Sequence, residues 1–260
     1  MADVEDPTAN KDKPSIREYF DETVTEAWTD ILLILSCFTT GLLDGAVFNV
    51  WSCFVSMQTG NTVYVGLGFS GQPKDQPWRW LKSGTAIFSF VLGSYLYSRA
   101  MRYLGPLKRT TIILAFMVGA LLCFVSAILV QVGIVPPNAG RTIPENNIVL
   151  VPLCLLSISA AGQIIVSRFL GYSELTTVVL TSAYCDLAYD EKLFTAPLTK
   201  NSKRNRRAAS MIMTCVGAIA GGFLTYGGDI APAIWLAGGL KVLIGLALIF
   251  WKSKAPIQLE

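Results

Sequence analysis

The sequence predicts an all-α integral membrane protein, with six transmembrane helices and two short discontinuous or re-entrant helices arranged as an internal repeat. Three observations lead to this fold class. Hydrophobic residues make up 52% of the chain and charged residues only 15%, whereas a soluble domain carries about 25% charged residues. The mean hydropathy is positive. The charges also cluster between apolar tracts, several of which reach the roughly 20 residues that a helix needs to cross a bilayer.

The composition also excludes several functional classes. The chain has no histidine, which excludes Ser-His-Asp and Cys-His catalysis, histidine metal sites and histidine proton relays. The six cysteines stand singly in or beside apolar tracts, which favours packing over a disulfide framework. The net charge of +3 is small and lies in loops, so it indicates topology and not nucleic-acid binding. We therefore expect no enzyme, no cofactor, no metal site and no nucleic-acid partner.

Residues 1–29 predict a cytoplasmic tail with an interfacial amphipathic helix. The stretch is acidic and lacks an early apolar core, so it does not have the pattern of a signal peptide. Ser15 and Glu18 have the spacing of a capping box, which predicts a helix start. Apolar residues then recur at helical intervals from Ile16 to Trp28, as in a helix that lies on a membrane surface. A loosely ordered, solvated tail is the alternative.

Six apolar tracts are long enough to be membrane-spanning helices. Two further apolar stretches, residues 54–70 and 174–189, are shorter and richer in Thr, Ser, Asn and Gly. The main topological question is whether these two stretches also cross the membrane. The six long tracts cover residues 31–51, 83–101, 111–131, 148–167, 208–226 and 230–251.

The loop charges favour six crossings, because an excess of Lys and Arg marks the cytoplasmic side. Basic residues dominate at 98–110, at 190–207 and after the last tract. All three segments lie on one side only if neither short stretch fully crosses. Both termini are then cytoplasmic, with 54–70 dipping from outside and 174–189 dipping from inside. This path leaves the basic loop at 71–82 outside, and eight full crossings are the alternative.

The two halves of the chain resemble each other weakly, although membrane helices share a composition and chance similarity is the other explanation. Residues 55–63 have a counterpart at 177–184, and residues 90–96 have one at 218–224. Three crossings per half make the repeat inverted, as in many channels and transporters, whereas four per half make it parallel. The predicted organisation is a tail over 1–29, a first membrane repeat over 30–132, a loop over 133–147, a second membrane repeat over 148–251 and a cytoplasmic tail over 252–260.

Residues 41–62 carry most of the candidate functional groups. Asp44 lies within an apolar tract, where an aspartate costs on the order of 2.5–3.5 kcal/mol on insertion scales. We expect it either to couple transport to protons or cations, or to hydrogen-bond the broken backbone near Gly60 and hold the two segments together. Discontinuous helices at the Thr59–Asn61 break would expose backbone groups that bind ions or substrate.

Further polar side chains complete the predicted site. Gln163 is the only strongly polar residue deep in its span, and Thr177 and Thr181 supply hydroxyls on the facing segment. A re-entrant cap whose polar groups satisfy one another is the alternative to a binding site. The candidate substrate- or ion-binding residues are Asp44, Gln58, Thr59, Gly60, Asn61, Thr62, Gln163, Thr177 and Thr181.

The motif Gly41-x-x-Asp44, followed by Phe54-Val55-Ser56-Met57-x-Thr59-Gly60-Asn61-Thr62, resembles the YoaK-type membrane proteins. These form a widespread family that is classed as a domain of unknown function, and the resemblance runs from about residue 30 to residue 251. It implies multiple membrane-spanning helices and a transport-related role, without an established substrate. Other members often have a second Thr-Gly in the later half. Thr181-Ser182 occupies that place here, so the two short segments are not strictly symmetric.

We therefore expect a secondary transporter or channel for an unknown small solute, with a midplane site near Asp44 and the Thr59–Asn61 break. The alternative is a non-transporting membrane scaffold that binds a partner through its N-terminal helix or its basic loops. The expected partners are the lipid bilayer and the solute. A homo-oligomer is compatible with the sequence.

Overall fold

The computed structural model describes residues 15–25, 28–139, 147–172, 175 and 180–251. This part of the chain is helical and contains no strand, apart from one isolated bridge between Thr23 and Lys108. Short 3-10 turns precede α6 and α8. The α-helices are α1 (Ile16–Asp21), α2 (Thr29–Trp51), α3 (Gln58–Phe69), α4 (Arg79–Leu104), α5 (Arg109–Gln131), α6 (Leu150–Phe169), α7 (Thr181–Ala188), α8 (Ser202–Leu224) and α9 (Ala231–Ile249).

Five helices in this part of the chain, α2, α5, α6, α8 and α9, are long and apolar enough to cross a membrane. The chain is therefore a multi-pass helical membrane protein. α4 is the longest helix at 26 residues, but it is less apolar. Basic residues lie in its first and last turns, and serines and tyrosines lie along its length. Each of the six predicted tracts thus contains a long helix, and α3 and α7 fall within the two shorter stretches.

α2 and α8 run parallel and in close contact over most of their length. Asp30 forms an ion pair with Arg206 at one end, at 2.9 Å, and Asn49 donates to the Thr225 hydroxyl at the other, at 3.0 Å. Glycine makes this approach possible. A Cβ added to Gly217 would collide with backbone atoms of α2, and one added to Gly41 would collide with the backbone of α8. The two backbones therefore touch without intervening side chains.

α4 and α6 also run parallel. The Ser89 hydroxyl lies 2.7 Å from the Cys154 sulfur, and further along both helices Gly162 packs against the ring of Tyr97. The long helices thus form two parallel pairs, α2 with α8 and α4 with α6.

α5 and α9 run antiparallel. The Trp235 indole near the start of α9 donates to Gln131 at the end of α5, at 3.0 Å. Near the end of α9, Gly245 packs against Met117 in the first half of α5. α5 also contacts α6, and α9 also contacts α2, while α3 packs on α4 and α7 packs on α8. The eight helices from α2 to α9 therefore form one connected bundle.

The starts of α2, α5 and α8 and the ends of α4, α6 and α9 meet at one end of the bundle, called the basic end for its arginines. Arg109 is fully buried there and donates to the carbonyls of Tyr19 and Trp251, at 2.9 and 2.6 Å. Its guanidinium also lies 3.8 Å from the centroid of the Tyr19 ring. Arg109 thereby joins α1, α5 and α9. The arginines of the basic end include Arg99, Arg102, Arg109, Arg168, Arg204, Arg206 and Arg207.

The N-terminal helix has the predicted capping box, but it is shorter than the apolar pattern indicates. The Ser15 hydroxyl accepts from the N–H of Glu18, and the N–H of Ser15 donates to the Glu18 carboxylate; these hydrogen bonds hold the pKa of Glu18 below its ordinary value. The helix ends at Asp21. Val24 then donates to the carbonyl of Leu107, at 3.0 Å. This long-range pairing draws the chain out of the helix.

The two short helices contact different ends of the bundle. The backbone just before α3 contacts Asp44, well inside α2, and the end of α3 packs on Trp80 at the end opposite the basic end. In contrast, α7 ends at the basic end, where Asp186 forms an ion pair with Arg207 at 3.4 Å. The two short helices therefore end at opposite ends of the bundle.

Candidate functional site

A cavity of about 430 Å³ lies between α2, α3, α7 and α8. This is within the size range of small-molecule binding sites, which are typically 300–1,000 Å³. Its walls are mostly apolar and include Phe48, Phe54 and Tyr184, with polar groups at a few positions. Five of the predicted site residues line it, namely Asp44, Gln58, Thr59, Gly60 and Thr181.

Asp44 binds the backbone at the break between α2 and α3. One carboxylate oxygen accepts from the N–H groups of Val55 and Ser56, at 2.9 and 3.0 Å, and the other accepts from the Ser56 hydroxyl. The hydrogen bonds to broken backbone that the sequence suggested are therefore present, at Val55 and Ser56 and not at Gly60. Asp44 also lines the cavity. The same side chain therefore holds the backbone of the break and borders the candidate site.

Asn61 anchors the same break from the other side. Its amide accepts from the N–H of Phe54, at 3.2 Å, and donates to the carbonyl of Phe54, at 2.8 Å. It also donates to Gln58, whose own amide donates to the carbonyl of Val55. Asn61 is fully buried and does not line the cavity. The predicted position of the break, at Thr59–Asn61, is wrong: these residues form the first turn of α3, and the break covers residues 52–57. Asn61 holds the shape of this break through its hydrogen bonds to Phe54.

The threonines of the predicted site have different surroundings. Thr59 and Thr181 line the cavity, and neither hydroxyl has a hydrogen-bond partner among the described residues. Thr62 is exposed on α3, outside the cavity lining, and donates to the carbonyl of Gln58. Thr177 lies outside the described residues. Two free hydroxyls, on α3 and α7, are therefore available to a bound molecule.

Gln163 does not line the cavity, but a hydrogen bond connects it to Thr40, which does. Its amide donates to the Thr40 hydroxyl at 2.8 Å and to the carbonyl of Ser36 at 2.9 Å. Its amide oxygen accepts from Lys241 at 3.0 Å, and Lys241 also donates to the carbonyl of Ser159 at 3.4 Å. This buried chain of polar groups connects α9 through α6 to the cavity wall on α2.

Lys241 is the residue that the sequence analysis missed. It lies in the middle of α9 and is 1% exposed, and no acidic side chain in the described part of the chain forms an ion pair with it. An ionisable side chain inside a membrane-spanning helix is costly and usually functional. Its signal in the sequence is a single lysine within the apolar tract 230–251.

The loop between α7 and α8 is organised by charged and polar contacts at the basic end. Arg204 is buried and donates to the carbonyls of Leu193 and Ala196, at 2.9 and 2.8 Å. The amide of Asn201 donates to Asp190 and, with the backbone of Lys192, holds the pKa of Asp190 below its ordinary value. Among the described residues, no three His, Cys, Asp or Glu side chains are grouped to hold a metal ion.

Comparison with known families places the whole bundle in one of them. A family model described as a protein of unknown function, DUF1275, matches residues 32–247. The chain belongs to the DUF1275 family. The family resemblance of the Gly-x-x-Asp and Thr-Gly-Asn motifs is thereby confirmed. No curated protein and no solved structure matches the chain. The DUF1275 match includes the cavity, the break beside Asp44 and Lys241 on α9.

Proposed function

We propose that this DUF1275 protein is a secondary transporter or channel for a small solute, and that it binds the solute in the cavity between α2, α3, α7 and α8. The observation that carries the proposal is the convergence of two interrupted segments on this cavity. The first turns of both α3 and α7 line it, together with Asp44 from the body of α2. Many transporters bind their substrates at such discontinuous helices.

The first turns of α3 and α7 line the cavity, which places backbone N–H groups of two helix starts beside a bound solute. The first N–H groups of a helix have no partner within the helix, and the helix dipole makes this end partly positive. Neither α3 nor α7 has a side-chain cap at its start. These helix starts therefore favour a solute group that accepts hydrogen bonds or carries negative charge.

Asp44 supplies the opposite chemistry to the same cavity. It is the one residue with a formal charge in the described lining. Its two backbone N–H donors, Val55 and Ser56, bind one oxygen, and the Ser56 hydroxyl donates to the other. A carboxylate oxygen has two lone pairs, so this oxygen retains capacity for a donor from the solute. The proposed substrate is thus a small neutral or zwitterionic molecule that carries both acceptors and donors.

The helix directions support six membrane crossings. If only the six long helices cross, α2 and α8 run parallel, α4 and α6 run parallel, and α5 and α9 run antiparallel. If α3 and α7 also crossed, α5 and α9 would run parallel. The antiparallel contact between Trp235 on α9 and Gln131 on α5 favours the first path.

The packing also supports an inverted repeat of α2–α5 and α6–α9. In such a repeat, α2, α3, α4 and α5 correspond to α6, α7, α8 and α9 in turn. The contact of α2 with α8 then corresponds to the contact of α6 with α4. The contacts of α3 with α4 and of α5 with α6 likewise become those of α7 with α8 and of α9 with α2. With six crossings, the two halves have opposite orientations, as in many carriers. The basic end is then cytoplasmic by its excess of arginine and lysine.

Thiol labelling tests the six-crossing path. We expect Asp75→Cys to react with a membrane-impermeant maleimide in intact cells, and Lys200→Cys to react only after permeabilisation. The exposed Cys185 and Cys215 would first be replaced by serine in both variants. Lys203→Cys, on the same side as Lys200, serves as a matched control for reactivity. Labelling of Asp75→Cys and Lys200→Cys from the same side would contradict the path.

The solute site is tested by a thermal-stability screen of the purified protein with small neutral and zwitterionic compounds, because a ligand that binds the folded state raises its apparent stability. For a compound that stabilises the wild type, we expect Thr59→Val and Thr181→Val each to weaken binding roughly five-fold, the equivalent of one hydrogen bond of about 1 kcal/mol. Thr62→Val is the control, since Thr62 lies outside the cavity.

The same compound should enter proteoliposomes that contain the wild-type protein. Unchanged binding in both Thr59→Val and Thr181→Val would place the compound elsewhere and contradict the proposed site. Binding at this site without any uptake would contradict transport and favour the scaffold role.

A further inference from the structure

A second surface feature lies at the basic end, between α4 and α6 and away from the solute cavity. It is a groove of about 510 Å³ that includes two arginines, Arg99 and Arg102, and the hydroxyl groups of Ser94, Tyr95 and Ser98. Both arginines are exposed. The groove therefore combines two cationic groups with several hydrogen-bond donors on one face of a membrane helix.

The two arginines differ from several basic residues at the same end in forming no ion pair with a described acidic residue. At the same end, Arg206, Arg207 and Lys108 each form an ion pair with an aspartate. Neither Arg99 nor Arg102 forms one with any described residue.

The contacts that the two arginines do make leave donors free. Arg102 donates to the Ser98 hydroxyl through one nitrogen, at 3.5 Å, and its guanidinium lies 5.3 Å from the centroid of the Phe169 ring. Arg99 lies 5.3 Å from the centroid of the Tyr95 ring. Aromatic contacts orient a guanidinium without neutralising it, so most N–H donors stay available to an anion.

An apolar strip continues from the arginines toward the middle of α4. Phe88, Leu92 and Tyr95 are spaced by three or four residues, so they share one helix face with Arg99 and Arg102. Phe88 is 68% exposed and Leu92 is 39% exposed. At 1.5 Å per residue, the strip from Phe88 to Arg99 is about 16 Å long, which is close to half of a hydrocarbon core of about 30 Å.

We propose that this groove binds one anionic phospholipid of the cytoplasmic leaflet. Its phosphate pairs with Arg99 and Arg102, and an acyl chain lies along Leu92 and Phe88. Guanidinium groups bind phosphate through paired N–H donors, and basic pockets between membrane helices select anionic lipid headgroups. The strip of apolar side chains next to the arginines favours a lipid over a free phosphate ion, because a phosphate ion has no apolar group that could pack against it.

The test measures the melting temperature of purified, delipidated protein in detergent with added phosphatidylglycerol, phosphatidylcholine or inorganic phosphate. We expect phosphatidylglycerol to raise the melting temperature and the other two to have little effect. In the double variant Arg99→Gln/Arg102→Gln, the phosphatidylglycerol concentration at half-saturation should rise roughly thirty-fold, from the contribution of two basic side chains at a membrane surface. The melting temperature without lipid should stay unchanged, because both side chains are exposed.

The matched control is Lys200→Gln/Lys203→Gln, which removes the same charge from exposed positions at the same end. It should keep the wild-type response to phosphatidylglycerol. An equal loss of affinity for phosphatidylglycerol in the two double variants would show that only the general surface charge matters, and it would overturn the proposed site. Stabilisation by inorganic phosphate alone, or equally by phosphatidylcholine, would also overturn an anionic lipid as the occupant. None of these outcomes bears on the solute cavity, which lies between other helices.

Discussion

Asp44→Ala is expected to lower the free energy of unfolding by about 2–6 kcal/mol, because it leaves two backbone N–H donors unsatisfied, at a cost of about 1–3 kcal/mol each. The N–H groups of Val55 and Ser56 would then lose their acceptor at the break before α3. Unfolding of the purified protein in detergent, followed by tryptophan fluorescence, measures the loss. α3 and its wall of the cavity should become disordered first.

Asp44→Asn separates this structural role from the role of the charge. The amide oxygen can accept from the same two N–H groups, and the amide nitrogen can donate to the Ser56 hydroxyl. We expect its stability to lie within about 1 kcal/mol of the wild type. Uptake of a solute identified by the stability screen should lose its dependence on pH or cations. Full uptake that keeps this dependence would rule out Asp44 as the coupling group, and a loss of stability as large as that of alanine would show that the charge itself holds the break.

Gly217→Ala is expected to destabilise the bundle by at least about 3 kcal/mol, at the upper end of the cost of overpacking. The added methyl group would meet the carbonyl oxygen of Phe38 and the backbone nitrogen of Leu42. Backbone atoms in a helix cannot turn aside as a side chain does, so α2 and α8 would have to separate. The melting temperature and the fraction of monodisperse protein after heating both measure this effect.

Gly222→Ala is the matched control on the same helix. Nothing lies within 4 Å of a Cβ added at Gly222. We expect little change in the free energy of unfolding or a gain of up to about 1 kcal/mol, since alanine has a higher helix propensity than glycine. Similar melting temperatures for Gly217→Ala and Gly222→Ala would show that the two helices are not in backbone contact.

The long helices could be predicted from the sequence because the length of an apolar tract reports directly on membrane insertion. A break beside Asp44 could also be predicted, since Thr59, Gly60 and Asn61 are unusual in an apolar stretch. Its position could not, because these three residues form the first turn of α3 and the break lies before them. The different roles of Thr59 and Asn61 could not be predicted. Asn61 is buried against Phe54 while Thr59 lines the cavity, and that difference depends on how the chain folds back on itself.

Contacts between distant segments explain the remaining differences. α1 ends at Asp21 because Val24 pairs with Leu107, which is far away in the chain. Gln163 was identified as an unusual polar residue, but its partner Lys241 lies 78 positions later. The lysine was visible in the sequence as a charge within an apolar tract. Only the hydrogen bond from the Lys241 ammonium on α9 to Gln163 on α6 shows that the two residues belong to one buried chain of polar groups.

The position of Lys241 has an electrical consequence. Carrying one elementary charge through the whole membrane potential corresponds to about 2.3 kcal/mol per 100 mV. In its ammonium form, Lys241 would sense part of that potential whenever α9 moved along the membrane normal. In the proposed transport cycle, a step that shifts α9 would then be faster or slower according to the voltage, even for a solute without net charge. Flux measured at clamped potentials in wild type and Lys241→Met would reveal this dependence.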